Sequence, residues 1–307
     1  MAARHELSQL VDRLKRGTGL EREQAAEELA VMSRLGLSTS DALRALQSAA
    51  AELAPRADGK DTGAQLVRAA ARMPRRVYIP VIEEHFARYS KAAKVEALRL
   101  LLHIGDQKAA NTYMALVRRF AGERLPSLAA DALLDKPEHL ERYFPALLAC
   151  VEEPCLAAEV CELAVALCEN GLLEPSSLRP LAPAVVRAYA WRRERLLRAE
   201  RGEARDPLRQ AELHGLRGEA LLFLELFGFL ATPEAEAELH SALGYRDPRL
   251  RAVAVGALLR LNRHVDPTHL RGVAEDPETR TWLTGRLRQI GKLSLLSEAR
   301  LPEATTR

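Results

Sequence analysis

Residues 232–262 read TPEAEAELHSALGYRDPRLRAVAVGALLRLN, and two helix starts are written into that one stretch. Thr232 before Pro233 and Asp247 before Pro248 each set an oxygen acceptor at the N-cap and a proline at the first helical position. There the missing N–H of proline is not needed, and its fixed φ suits the helix. A short helix and an apolar one therefore follow each other across a tight turn. Such a pair cannot bury its own hydrophobic faces, so it has to stack on neighbours. The same device recurs at Asp266-Pro267 and Asp276-Pro277.

Leucine, alanine, arginine and glutamate dominate the chain, while aromatic residues make up 5% of its 307 positions. The abundant types are strong helix formers and the strand formers are sparse, so the expected fold is all-α with no sheet. The length suffices for two compact domains or for one elongated array.

Apolar periodicity extends the pairing upstream. Leu7, Leu10, Val11 and Leu14 share one helix face; Thr18 and Glu21 form a capping box for a second helix, which Gly36 ends; Ser40 opens a third. These make residues 1–54 an N-terminal helical cap. Residues 55–63, PRADGKDTG, combine proline, two glycines and alternating charge and read as a flexible connector. Residues 64–291 read as a helical-repeat array and 292–307 as a C-terminal tail. Pairs begin at Pro80, Gln107 behind an Asp106 cap, Pro137, Leu178, Pro233 and Pro267. The fourth is irregular, a long helix from Leu178 to Glu200 and then an apolar one ending near Leu230. The partner of the Gln107 helix resumes at Leu125, Leu128, Ala132 and Leu133. Intervals centred in the thirties suit a solenoid.

The residues Leu239, Leu243, Asp247, Pro248, Arg251, Ala254 and Leu258 resemble the HEAT-repeat pattern. Asp276, Pro277, Arg280 and Leu283 repeat it, and Ser90, Lys94, Ala97 and Leu98 give a looser copy. The Glu153-Pro154 turn departs from it, with Ala157 where the family has a basic residue, and the repeat at Leu125 lacks the turn aspartate. The resemblance covers residues 78–291 in outline. It implies a right-handed α-solenoid of stacked antiparallel helix pairs, with Asp247 and Arg251 linking repeats rather than forming a site.

The longest apolar run, residues 220–231, contains Glu225 and is far shorter than the roughly twenty residues a membrane span needs. It reads as a core helix. The N-terminal MAARHELSQLVDRLKRG is charged, without the apolar core of a secretory signal. Cys150, Cys155, Cys161 and Cys168 lack metal-ligand spacing and read as structural thiols. A cytoplasmic location is expected, and the alanine- and arginine-rich composition suggests a bacterium.

No phosphate-binding glycine loop, zinc-protease motif or nucleophile elbow occurs, so no catalytic, metal or cofactor site is expected. His264 and His269 are close in sequence but lie across the Pro267 helix start, and read as ordinary exposed histidines.

Charge is zoned along the chain. Residues 63–119 carry eleven basic against four acidic side chains, 123–174 three against eleven, and 246–292 ten against five. Helix exteriors are charged in any case, yet patches of both signs also steer and orient a partner. Two arginine clusters stand beside aromatics and are candidate partner-binding sites: Arg72, Arg75 and Arg76 with Tyr78, and Arg187, Arg192 and Arg195 with Trp191. The expected function is a non-enzymatic protein–protein interaction scaffold or adaptor with a charged groove. The alternative is nucleic-acid binding, resembling the HEAT-like alkylpurine DNA glycosylases. Trp191 and Trp282 would serve it, but neither has the adjacent acidic residue of such a motif.

Overall fold

The computed structural model describes residues 2–51, 61–120, 125–201 and 207–295. Among these are sixteen α-helices with short 3-10 turns and no strand. None of the helices is long and apolar enough to cross a membrane. The chain divides into two compact units, Met1–Ala149 and Cys150–Arg307.

The N-terminal unit holds α1 (Ala2–Arg16), α2 (Gly19–Leu35), α3 (Thr39–Ala49), α4 (Thr62–Ala71), α5 (Ile79–His85), α6 (Lys91–Ile104), α7 (Gln107–Phe120), α8 (Ala132–Asp135) and α9 (Leu140–Leu148). Helices pack on the next but one: α2, α4, α6 and α8 in order, and α1, α3, α5, α7 and α9 in order. Both α2 and α3 pack on α4, so the first three helices belong to the same compact unit as the helices after them. The Thr18 amide donates to Glu21 Oε2 at 2.7 Å, half of the expected capping box, and Gly36 ends α2 at φ +86°. The third helix is capped by Ser38 rather than Ser40, its hydroxyl accepting the Asp41 amide.

Of the expected connector, residues up to 60 lie outside the described residues. Asp61 caps α4, accepting the Ala64 amide at 2.7 Å, and Thr62 and Gly63 form the first turn. Of the expected tail, residues 296–307 also lie outside them. The helix expected from Leu125 is a correction: Leu125 and Leu128 are buried but not helical, and only the four-residue α8 forms. Pro126 brings no amide, Ser127 Oγ takes the Ala129 amide at 2.9 Å, and Ala129 sits at φ +53°.

Side chains from the α8–α9 region tie down the end of α6. Tyr143 Oη donates to Leu101 O at 2.7 Å, His139 Nδ1 lies 2.8 Å from Leu102 O, and Arg142 donates to Gly105 O. Gly105 closes α6 at φ +70°, and a Cβ there would fall inside the His139 ring.

The C-terminal unit holds α10 (Ala157–Glu169), α11 (Ala182–Arg201), α12 (Pro207–Leu230), α13 (Pro233–Ala242), α14 (Pro248–Arg260), α15 (Pro267–Ala274) and α16 (Pro277–Gln289). The long helix starts at Ala182 and not at Leu178, because residues 175–181, with Pro175 and Pro180, wind as a 3-10 turn. All four expected proline starts are present. Thr232, Asp247, Asp266 and Asp276 are N-caps accepting from Ala235, Arg249, Thr268 and Thr279 amides. Here again alternate helices pack: α10 on α12, α12 on α14, α14 on α16, with α11 on α13. Tyr189 anchors the interior, 5.8 Å from the Phe223 ring and 5.1 Å from Phe227, its hydroxyl 2.8 Å from that of Tyr245.

Candidate functional site

The first arginine cluster sits where α4 runs out. Arg72 is its C-cap, Arg75 is extended, and residues 76–78 form a 3-10 turn. That geometry turns Arg72, Arg75 and Arg76 to solvent and drives Tyr78 into the core, 0% exposed. Tyr78 is therefore a packing residue and not a surface contact, since its ring follows the apolar face that begins at Ile79. Only Arg76 of the three approaches a carboxylate among the described residues, 3.4 Å from Asp106. Sequence reading missed Met73 and Val77, 45% and 49% exposed among these arginines.

The second cluster is taken apart by α11. Arg192 is 1% exposed and cannot meet a partner. Its Nε donates to Glu219 Oε2, its Nη1 to Ala188 O and its Nη2 to Pro154 O, each at 2.8 Å. The guanidinium also lies 4.9 Å from the Phe223 ring centre. This is an internal clasp joining α11, α12 and the turn before α10. Around it, Arg187 pairs with Glu152 at 2.6 Å, Arg193 with Glu238 at 2.6 Å and Arg195 with Glu212 at 2.8 Å. Trp191 remains 45% exposed with the Arg195 guanidinium 4.9 Å from its ring centre. The aromatic-arginine pattern is real, but intramolecular carboxylates occupy its cations.

A different place gathers apolar and charged groups. The α10, α12, α14 and α16 layer carries a groove of about 510 Å³. Its floor is Leu221 and Leu222 of α12, Val253 of α14 and Trp282 of α16. Gly218 lines it too, and a Cβ there would meet nothing within 4 Å. Trp282 packs over Gly256, where a Cβ would stand 3.4 Å from the indole Cη2, an ordinary contact.

Carboxylates from three helices border this floor, Glu162, Glu225 and Glu278. Arg249 donates to both oxygens of Glu278, at 2.6 and 2.8 Å. Arg286 donates to Glu225 at 2.6 Å and to Glu169, which Arg260 also approaches at 3.4 Å. Burial pulls the Arg260 guanidinium below its ordinary range, with Arg286 beside it acting the same way. For Arg286, Glu225 and Glu169 outweigh the burial and hold it above. Glu162 has no basic partner among the described residues.

Sequence reading named Trp282 but not this groove. The signal was α12 itself, whose residues 220–230 are apolar, except for Glu225, on more than one face, more than one packed neighbour requires. Among the cysteines, Cys150 and Cys161 are buried and Cys155 is exposed, while burial pushes the Cys168 thiol up to about 11. Among the described residues no group of His, Cys, Asp or Glu is arranged to hold a metal ion. Compared with protein-family models, with curated proteins and with solved structures, the chain matches none.

Proposed function

We propose that the chain is a non-enzymatic protein–protein interaction scaffold built as a right-handed, HEAT-like α-solenoid, working in the cytoplasm without a cofactor. Alternate-helix packing within each unit supports the solenoid part of this reading. The Asp247 position supports the HEAT part: its Oδ2 lies 3.1 Å from Arg217 of α12. Arg251 lends it no such support, its Nε being buried without a hydrogen-bond partner among the described residues. In the second copy of the pattern, Arg280 Nε donates to Ala274 O at 2.6 Å and ties α16 to the end of α15.

The groove on the α10–α12–α14–α16 layer carries the functional part. A half-exposed apolar floor with polar borders is what a partner's side chains require, and fold alone would not supply a role. The test compares full-length wild type with Gly218→Phe as baits. A Cβ at 218 meets nothing within 4 Å, so the backbone accepts a side chain there, and an unchanged helical circular dichroism spectrum checks that the variant is folded. A protein recovered in stoichiometric amount by wild type and lost by the variant is the expected result. Identical recoveries, or none, overturn the reading. A duplex or single strand bound in a salt-dependent gel shift would replace it with the nucleic-acid alternative.

A further inference from the structure

We propose that the occupant of this groove is a basic amphipathic helix, its apolar stripe on Leu221, Leu222 and Trp282 and its lysines or arginines against Glu162, Glu225 and Glu278. The inference rests on the scaffold reading and narrows it to one class of partner.

Shape comes first. Neighbouring packed helices stand about 8–10 Å apart, so a layer of four spans roughly 25–30 Å, the length of an α-helix of about 18 residues. Leu221, Leu222 and Trp282 are half-buried, so the floor is open to an entering chain rather than sealed. Gly218 adds room where any other residue would raise the floor. Helices that dock in such grooves do so through apolar side chains at i, i+3 or i+4, and i+7.

Charge then selects the sign. Three carboxylates and one guanidinium line the groove. That guanidinium, Arg249, is engaged with Glu278, and Arg286 beneath the floor is engaged with Glu225 and Glu169. An acidic helix would have to break these pairs to find a cation, and would meet Glu162, which has no basic partner among the described residues. A basic helix gains Glu162 outright and adds to the other two without breaking a pair. Like-charge juxtaposition at an interface costs several kcal/mol, so the sign is well discriminated.

The chain has two tryptophans, so Trp191→Phe leaves Trp282 as the sole indole and a reporter inside the groove. Three synthetic helical peptides of about 18 residues serve as probes: a Leu/Lys amphipathic helix, the same with Glu for Lys, and the Lys peptide with Ser for Leu. The Leu/Lys peptide is expected to shift Trp282 emission to the blue. Its affinity should fall about ten-fold with Glu162→Arg and about as much in 0.5 M salt, and Gly218→Phe should abolish the shift. The Glu and Ser peptides should leave the emission unchanged.

Equal or tighter binding of the Glu peptide, blocked by Gly218→Phe, overturns the basic-helix inference while leaving the scaffold reading intact. So does silence of every peptide beside a bait experiment that yields a Gly218→Phe-sensitive protein. Silence of the peptides together with an empty bait experiment overturns both.

Discussion

The two compact units hold their helix ends in different currencies. In the N-terminal unit the tyrosines make neutral interior ties: Tyr89 Oη donates to Leu46 O at 3.1 Å, Tyr113 Oη to Leu128 O at 2.8 Å, and Tyr143 Oη to Leu101 O at 2.7 Å. A buried carboxylate, Glu96, accompanies them and pairs with Arg68. Burial raises the Tyr89 and Tyr143 phenols well above their ordinary range, so they stay protonated donors. Ion pairs such as Arg13–Glu28 lie at the surface of this unit. In the C-terminal unit the interior tie is a buried guanidinium, Arg192, and arginines pair from helix to helix around it. A neutral tie ignores salt and pH, whereas a charged one holds only while both partners stay ionised. The difference predicts that one protein responds to its solvent in two ways.

The hardest blow to that contrast is Arg192→Met. Pro154 O loses its donor, which for a buried carbonyl costs about 1–3 kcal/mol, and the ties to Ala188 O and to the partly exposed Glu219 go with it. Hydrogen exchange should accelerate in α11 and α12 and leave α6 and α9 as they were. A cost below about 1 kcal/mol would mean the clasp is ornamental.

Tyr143→Phe comes next, at about 1 kcal/mol for one lost hydrogen bond, since Leu101 O keeps the Gly105 amide. Chemical denaturation followed by exchange in α6 should give the same loss at low and high salt. A salt-dependent loss would erase the distinction between the units. Asp247→Ala should cost about 1 kcal/mol as a lost N-cap, read as faster exchange in the first turn of α14. Added salt should shrink this loss, since the Arg217 contact goes with the cap.

The smallest effect is that of acid. The Arg263 hydrogen bond holds Glu236 below its ordinary 4.5, the Thr268 hydroxyl and amide hold Asp266 below 3.8, and the Thr279 amide holds Asp276 below 3.8. A depressed carboxylate stabilises the fold above its ordinary value and loses that contribution as pH falls through the lowered one. The N-terminal unit carries Glu21 in the same condition, held down by Thr18. Between pH 7 and 3, protection factors (exchange corrected for its intrinsic pH dependence) should therefore fall more in α13–α16 than in α3–α7. Equal falls in both would sink the claim.

What was legible in the residues was local. Asp-Pro and Thr-Pro starts name their own helices because cap and proline act within one turn, and all four stand as expected. The end of the apolar helix at Leu230 was legible for the same reason, with Thr232-Pro233 immediately after. Facing was not. Tyr78 and Arg192 each stand among surface arginines in sequence, and only the 3-10 turn and the packing of α12 send them inward. The groove was hidden for a related reason: periodicity says that α12 has apolar surface to spare, but not which part a neighbour covers. Leu125 misled because an apolar rhythm continues through Pro126 and Ser127, which cannot continue a helix.

The joint between Gly105 and His139 limits how this chain can drift. Because the imidazole occupies the space any side chain at 105 would take, position 105 cannot be varied while His139 stands. A saturation library at 105 should return glycine almost exclusively, and alternatives should surface only alongside a smaller residue at 139.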